Sequence, residues 1–292
     1  MGIAVIILCC IGIVATGVLI AVFITNRETA IVKASNRELS YIHLASTLVI
    51  FTIPFSVIGK PTAASCALVP FLFSIPFSLC ISITLLKTNR LLRIFQSRTR
   101  LTSARSNLLT NKVQFVRAIA LSCVPIIMAT VWTIVKPSVV EIITEEVTEK
   151  KVIYQCSKNT DTLLITLLVF VLFLALVCMF FAYKARKLPE NFNEAKFIGF
   201  AMFGFCLCWL SFIPTYYDTR GGNKTFIFAT TVLLSGFCVL SIMYFPKIRI
   251  MICFSKKNRS EVFRSNFVLT NTSRCNKTLR QTFCYSTRLA RA

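Results

Sequence analysis

Few side chains in this 292-residue chain could do chemistry, and their spacing narrows what that chemistry could be. His43 is the single histidine and lies inside an apolar run, so no histidine-based metal site can form. The thirteen cysteines include no C-x-x-C pair, and no glycine-rich phosphate loop occurs. A membrane-embedded enzyme would need convergent His, Asp or Glu within its apolar runs, and none converge here. The chain is therefore expected to be no enzyme and to hold no cofactor or metal. Glu141, Glu145, Glu146 and Glu149 cluster in "EIITEEVTEKKVIYQC", where they could attract cations or simply form a solvated face. The same stretch alternates enough to be a β-hairpin lid. Two kinds of candidate remain: thiols that could oxidise, and single charges such as Lys87 and Glu194 beside long apolar stretches.

The elements that must position these residues are membrane spans. Hydrophobic residues make up 55% of the chain and charged ones only 15%, and the mean hydropathy is +0.72. Average soluble domains are less apolar. About 20 apolar residues cross a bilayer as a helix, and seven segments qualify: Gly2–Thr25, Tyr41–Gly59, Cys66–Phe95, Val113–Val135, Thr162–Tyr183, Phe197–Tyr217 and Phe226–Phe245. A β-barrel would instead show strands of about 10 residues with alternating polarity. The expected fold is all-α, a seven-transmembrane helical bundle spanning residues 1–254. Residues 255–292 form a basic tail, expected to be cytoplasmic and disordered.

The net charge of +22 would suggest nucleic acid in a soluble protein, but here the basic residues lie between spans and at the end. With the N-terminus outside, 26 of the 33 lysines and arginines fall on the inner side and 7 on the outer. The positive-inside rule then predicts N-out and C-in. A basic inner face also suits contact with anionic membrane lipids. In this orientation Cys66 opens the third span at the outer surface and Cys156 lies in the long outer loop. They are the only two thiols predicted outside, where thiols oxidise. They are expected to pair and tie that loop over the bundle.

Seven spans, an N-out orientation and such a disulfide are the plan of a G-protein-coupled receptor. The specific stretches are "IVKASNRELSY" in the first inner loop, "LLKTNRLLRIF" at the inner end of the third span, and "KARKLPENFNEAKF" (184–197) in the third inner loop. "CWLSFIPTYY" in the sixth span and "MYFPKIRI" at the end of the seventh complete the set. Together, in this order, they resemble the class C G-protein-coupled receptors, the metabotropic glutamate and calcium-sensing receptor family. The resemblance covers nearly the whole chain to about Arg259, and "CISITLLKTNR" and "KARKLPENFNEAKFI" look nearest to the calcium-sensing, pheromone and taste-like branch.

The resemblance implies roles for particular residues. Lys87 and Glu194 match the family's ionic lock, which holds the inner face closed. Without the resemblance, both could equally be solvated, snorkelling side chains. Phe192 matches the phenylalanine important for G-protein coupling. Pro189 should keep that loop compact, and Arg93 flanks the same surface, where it could equally bind lipid phosphates. Trp209 matches the tryptophan of the family's transmembrane allosteric pocket. Phe73, Phe77, Ile81, Phe212, Tyr216 and Ser235 should line the same cavity, a mostly apolar site for a small-molecule ligand.

Two departures stand out. Arg249 replaces the tyrosine that usually follows the family's Pro-Lys pair. The family's two-lobed ligand-binding ectodomain and cysteine-rich linker have no counterpart in this sequence, so the usual agonist site is not expected in it. The sequence therefore predicts a plasma-membrane receptor that relays a signal to heterotrimeric G proteins, or a modulatory short receptor that dimerises with a full-length class C relative. A transporter or channel would show internal repeats or buried charge in mid-span, and neither is evident.

Overall fold

The computed structural model describes residues 2–29, 32, 35–59, 61–96, 111–145, 151–186, 194–219 and 222–253. At a few element ends, Glu194 among them, it describes the backbone alone. Seven helices and one hairpin make up these residues: α1 (Gly2–Thr25), α2 (Arg37–Val57), α3 (Ala63–Gln96), α4 (Asn111–Val135), β1 (Val140–Glu145), β2 (Lys151–Cys156), α5 (Lys158–Ala185), α6 (Glu194–Asp218) and α7 (Gly222–Cys253). All seven helices are long and apolar enough to cross a membrane. Helices suit that role because every backbone N–H and C=O is satisfied within the segment, where no water is available to do it.

The helices neighbour one another in the pairs α1–α2, α2–α3, α3–α4, α3–α5, α5–α6 and α6–α7, and α7 closes the ring against α1 and α2. Helix α3 is the hub: 61% of its most apolar stretch is buried, against 28% for α1 and 22% for α4. The outer two helices therefore show most of their surface to lipid. Small residues permit the close approaches. A side chain at Gly12 of α1 would collide with the Phe51 ring of α2, and a Cβ at Gly204 of α6 would lie 2.5 Å from Cys238 Sγ of α7.

Several helices run past the ends that hydropathy predicts. Helix α2 begins at Arg37 rather than near Tyr41, and α5 at Lys158 rather than Thr162. Helix α7 continues through Pro246 to Cys253. Hydropathy alone ends that span at Phe245. Apolar length measures the bilayer, not the helix, and polar residues extend a helix into the headgroup region without penalty. A proline within a spanning helix removes one hydrogen bond but need not end it.

The expected hairpin is present. Strands β1 and β2 pair antiparallel, with Val140 opposite Cys156 and Glu145 opposite Lys151. Cys156 at the end of β2 is bonded to Cys66 near the start of α3, with their Cα atoms 5.6 Å apart. The hairpin is thereby tied to the hub helix directly before the chain enters α5.

Candidate functional site

At the end of the bundle away from the hairpin, polar side chains from α2, α3 and α7 meet in a buried network. On α2, Ser40, His43 and Thr47 recur at spacings of three and four, which puts them on one helix face. Lys87 Nζ of α3 donates to Ser40 Oγ at 2.7 Å. His43 Nδ1 lies 2.9 Å from the Tyr244 hydroxyl of α7, and His43 Nε2 lies 3.3 Å from Cys80 Sγ of α3. Lys247 Nζ, one turn beyond Tyr244, donates to Ser35 Oγ at 2.6 Å. His43 is wholly buried, and Lys87 and Lys247 are only 7% and 9% exposed. Ionisable groups inside a membrane bundle are costly unless they find partners, and His43, Lys87 and Lys247 each find one here.

The network disfavours the alternative reading of Lys87. Lys87 does not end the third helix as a snorkelling side chain, because α3 runs on to Gln96 and Lys87 is enclosed by the bundle. Arg93, in the last turn of α3, donates from Nε to Asn89 Oδ1 at 3.0 Å. Helix α6 begins at Glu194, but the Glu194 side chain lies outside the described residues. So do Pro189 and Phe192, the acidic residues Glu146 and Glu149, and the tail over 255–292.

The residues expected to line a ligand pocket gather in mid-bundle. Trp209 of α6 stands 5.0 Å from Phe73, 5.6 Å from Phe77 and 5.2 Å from Phe212, measured between ring centroids. Phe212 in turn stacks on Tyr216 at 4.8 Å. Mixed edge and tilted geometries are those aromatic rings prefer. The space among them is occupied by their own rings. Ile81, Phe77 and Ser235 border a void of about 10 Å³. The Trp209 indole N–H is fully buried and has no hydrogen-bond acceptor among the described residues.

A larger cavity, of about 100 Å³, opens above this cluster beneath the hairpin. Its walls include Tyr216, Phe228, Gln155 and the ion pair of Asp161 with Lys224. Lys224 Nζ is 2.8 Å from Asp161 Oδ2, and the Tyr216 hydroxyl donates to Asp161 Oδ1 at 2.7 Å. The ammonium also sits 4.8 Å from the centre of the Tyr216 ring. One carboxylate at the first turn of α5 thus ties together α5, α6 and α7. Both charged side chains are below 20% exposed, so they are well shielded from water.

Sequence reasoning missed the partners of His43, the Ser35–Lys247 contact and the Asp161–Lys224–Tyr216 cluster. The signal for the first was the three-four spacing of polar residues on α2. The signal for the last was a single acid opening an otherwise long apolar run. Among the described residues, no group of three or more His, Cys, Asp and Glu side chains could hold a metal ion.

Comparison with known proteins agrees with this architecture. Residues 1–247 match the family model described as the 7 transmembrane sweet-taste receptor of 3 GCPR. The chain is 36% identical to the extracellular calcium-sensing receptor of Mus musculus over 265 residues, 91% of this chain and 24% of that protein. It is equally 36% identical to the extracellular calcium-sensing receptor of Homo sapiens over 263 residues, 90% of this chain and 24% of that protein. The metabotropic glutamate receptor of Drosophila melanogaster is 36% identical over 251 residues, 85% of this chain and 25% of that protein. The chain spans about a quarter of the length of these relatives. With seven spanning helices, the hairpin and its disulfide in place, the chain belongs to the class C G-protein-coupled receptors, a family of plasma-membrane receptors and not of enzymes.

Proposed function

We propose that this chain is a signal-transducing membrane domain, with the hairpin outside and the Lys87 end facing the cytosol, that relays a conformational change to a heterotrimeric G protein. The observation that carries this reading is the buried network of Lys87, Ser40, His43, Tyr244 and Lys247, which joins α2, α3 and α7 at one end of the bundle. Such a network has discrete closed and open arrangements, and a receptor needs an element of that kind. In the proposed closed state Lys87 also engages Glu194 at the start of α6. Release of that lock lets α6 swing away and exposes a groove for the G protein. Phe192, Pro189 and Arg93 are the residues proposed to couple to the G protein.

The aromatic cluster around Trp209 is the proposed seat of allosteric control. A small molecule entering between Phe73, Phe77, Phe212 and Tyr216 must displace rings, so it would bind the open and closed bundles unequally. That inequality is what shifts a population. The unpartnered Trp209 N–H offers such a ligand one directional anchor.

The test is nucleotide exchange on purified heterotrimeric G protein by the reconstituted chain, alone and together with a full-length class C relative. Exchange by the chain alone supports the transducer reading. Exchange only with the relative supports a modulatory partner that works by dimerisation. Absence of any effect in both settings overturns the transducer reading.

A further inference from the structure

We infer that the groove between the ends of α5 and α6 near Arg186 is a binding site for one anionic glycerophospholipid. The groove encloses about 710 Å³ and faces out of the bundle. Each helix turns one stripe into it. On α5 the stripe is Met179, Ala182 and Tyr183, followed by Arg186 at the helix C-cap; on α6 it begins at Ala195 and Lys196 and continues through Gly199 to Phe203.

Residue size explains why a groove forms. Ala182, Ala195 and Gly199 leave its floor empty, and a Cβ on Gly199 would lie 3.7 Å from that of Ala182. Tyr183, Phe200 and Phe203 are 57%, 65% and 52% exposed, and they stand as its walls. From Lys196 to Phe203 the helix rises about 10 Å. The groove is therefore long enough for the upper part of an acyl chain, and its apolar depth suits nothing charged.

Charge sits only at its mouth. The Arg186 guanidinium lies 3.9 Å from the centre of the Tyr183 ring and donates to the Tyr183 hydroxyl at 3.0 Å. Held flat in this way, it keeps further N–H donors free to fork onto a phosphodiester. Lys196 supplies a second cation from the opposite wall. Two cations at the mouth and an apolar slot below are complementary to a lipid with a negative headgroup. A net-neutral headgroup brings a cation beside Arg186 and Lys196 with no second anion to offset it, whereas the carboxylate of phosphatidylserine supplies that anion. The lipid would wedge between α5 and the end of α6 that the proposed opening must move. Its source in the cytosolic leaflet rests on the orientation given above; the fit of the groove does not.

The full chain is assembled in nanodiscs of phosphatidylcholine mixed with phosphatidylserine, and native mass spectrometry reads the lipids retained after stripping. Both leaflets carry the same mixture, so the result is independent of which way the chain faces. Wild type should retain phosphatidylserine on the order of tenfold over its share of the mixture. Arg186→Gln with Lys196→Gln should remove that preference, and Gly199→Leu should lower retention of both lipids. An intact Cys66–Cys156 crosslink checks that each variant is folded, and the double glutamine variant carries the test if Gly199→Leu is not. Equal retention of the two lipids by wild type overturns the site. So does a preference that survives the double substitution, or displacement by soluble glycerophosphoserine, which lacks the acyl chains.

Discussion

The Tyr244 hydroxyl and His43 Nδ1 stand 2.9 Å apart, joining helices whose contact residues are separated by 201 positions of sequence. The same hydroxyl donates to the Ser40 carbonyl oxygen at 3.4 Å, so one phenol contacts two groups on α2. Removing it in Tyr244→Phe should cost about 1–2 kcal/mol of stability, because His43 is left buried without that partner. Thermal unfolding in detergent measures the loss. His43→Leu added to Tyr244→Phe should cost much less than it does alone, since the partner it would orphan is already gone. Strictly additive losses would show that the two side chains do not interact.

Charge reversal tests the proposed lock. Lys87→Glu and Glu194→Lys should each raise basal nucleotide exchange, and the double reversal should return it toward the wild-type level. Ser40→Ala should raise it by less, because it removes the 2.7 Å contact that steadies the ammonium but leaves both charges of the proposed lock in place. Unchanged basal exchange in both single reversals would remove the lock from the mechanism.

At the other end, Lys224→Met should destabilise the bundle by about 1.5–3 kcal/mol, the range for hydrogen bonds to charged groups. It leaves the shielded Asp161 carboxylate with the Tyr216 hydroxyl alone among its described contacts. Asp161→Asn combined with Lys224→Met should recover part of that loss, since no uncompensated charge remains. Differential scanning fluorimetry of the three variants would read the pattern, and a double variant less stable than either single one would contradict it.

Cleavage of the Cys66–Cys156 bond should loosen the hairpin and lower stability by about 2–4 kcal/mol, because it closes a loop of 90 residues. Cys66→Ser should behave like reductant, and reductant should have no further effect on it. A mass-shift assay that found both thiols free in the native protein would remove the bond itself.

Gly204→Val should force α6 away from α7, since even its Cβ would lie 2.5 Å from Cys238 Sγ. Cys238→Ala should relieve the clash and restore much of the lost unfolding temperature. A stable Gly204→Val protein would mean the two helices pack less closely at that level.

Much of the architecture was legible because membranes impose blunt rules. Bilayer thickness sets the length of a span, and thiol location sets where a disulfide can form, so the seven helices and the Cys66–Cys156 pair could be read directly. The helix ends were harder. Hydropathy is silent about Arg37 or the turn after Pro246, where a helix continues in polar surroundings. The contacts within the bundle were harder still. Lys87 looks like a surface lysine in "LLKTNRLLRIF", and only the placement of α2 beside α3 reveals its hydroxyl partner. Trp209 and its neighbours could be assembled by family resemblance, but the fact that their rings fill their own cavity is a matter of rotamers. Asp161 and Lys224, 63 residues apart, meet only because α5, α6 and α7 end at the same depth.

The covalent tie between the hairpin and α3 has a mechanical consequence. Strand β2 is bonded to the top of α3 at Cys66 and runs on, through Ser157, into α5. A push or twist on the hairpin is therefore shared at once by the two most intimately packed helices of the bundle, with no slack linker to absorb it. Helix α3 carries that displacement down to Lys87, about 30 Å away at 1.5 Å per residue. Helix α1 lies off this path, and substitutions on its lipid-facing side should leave the transmitted motion intact.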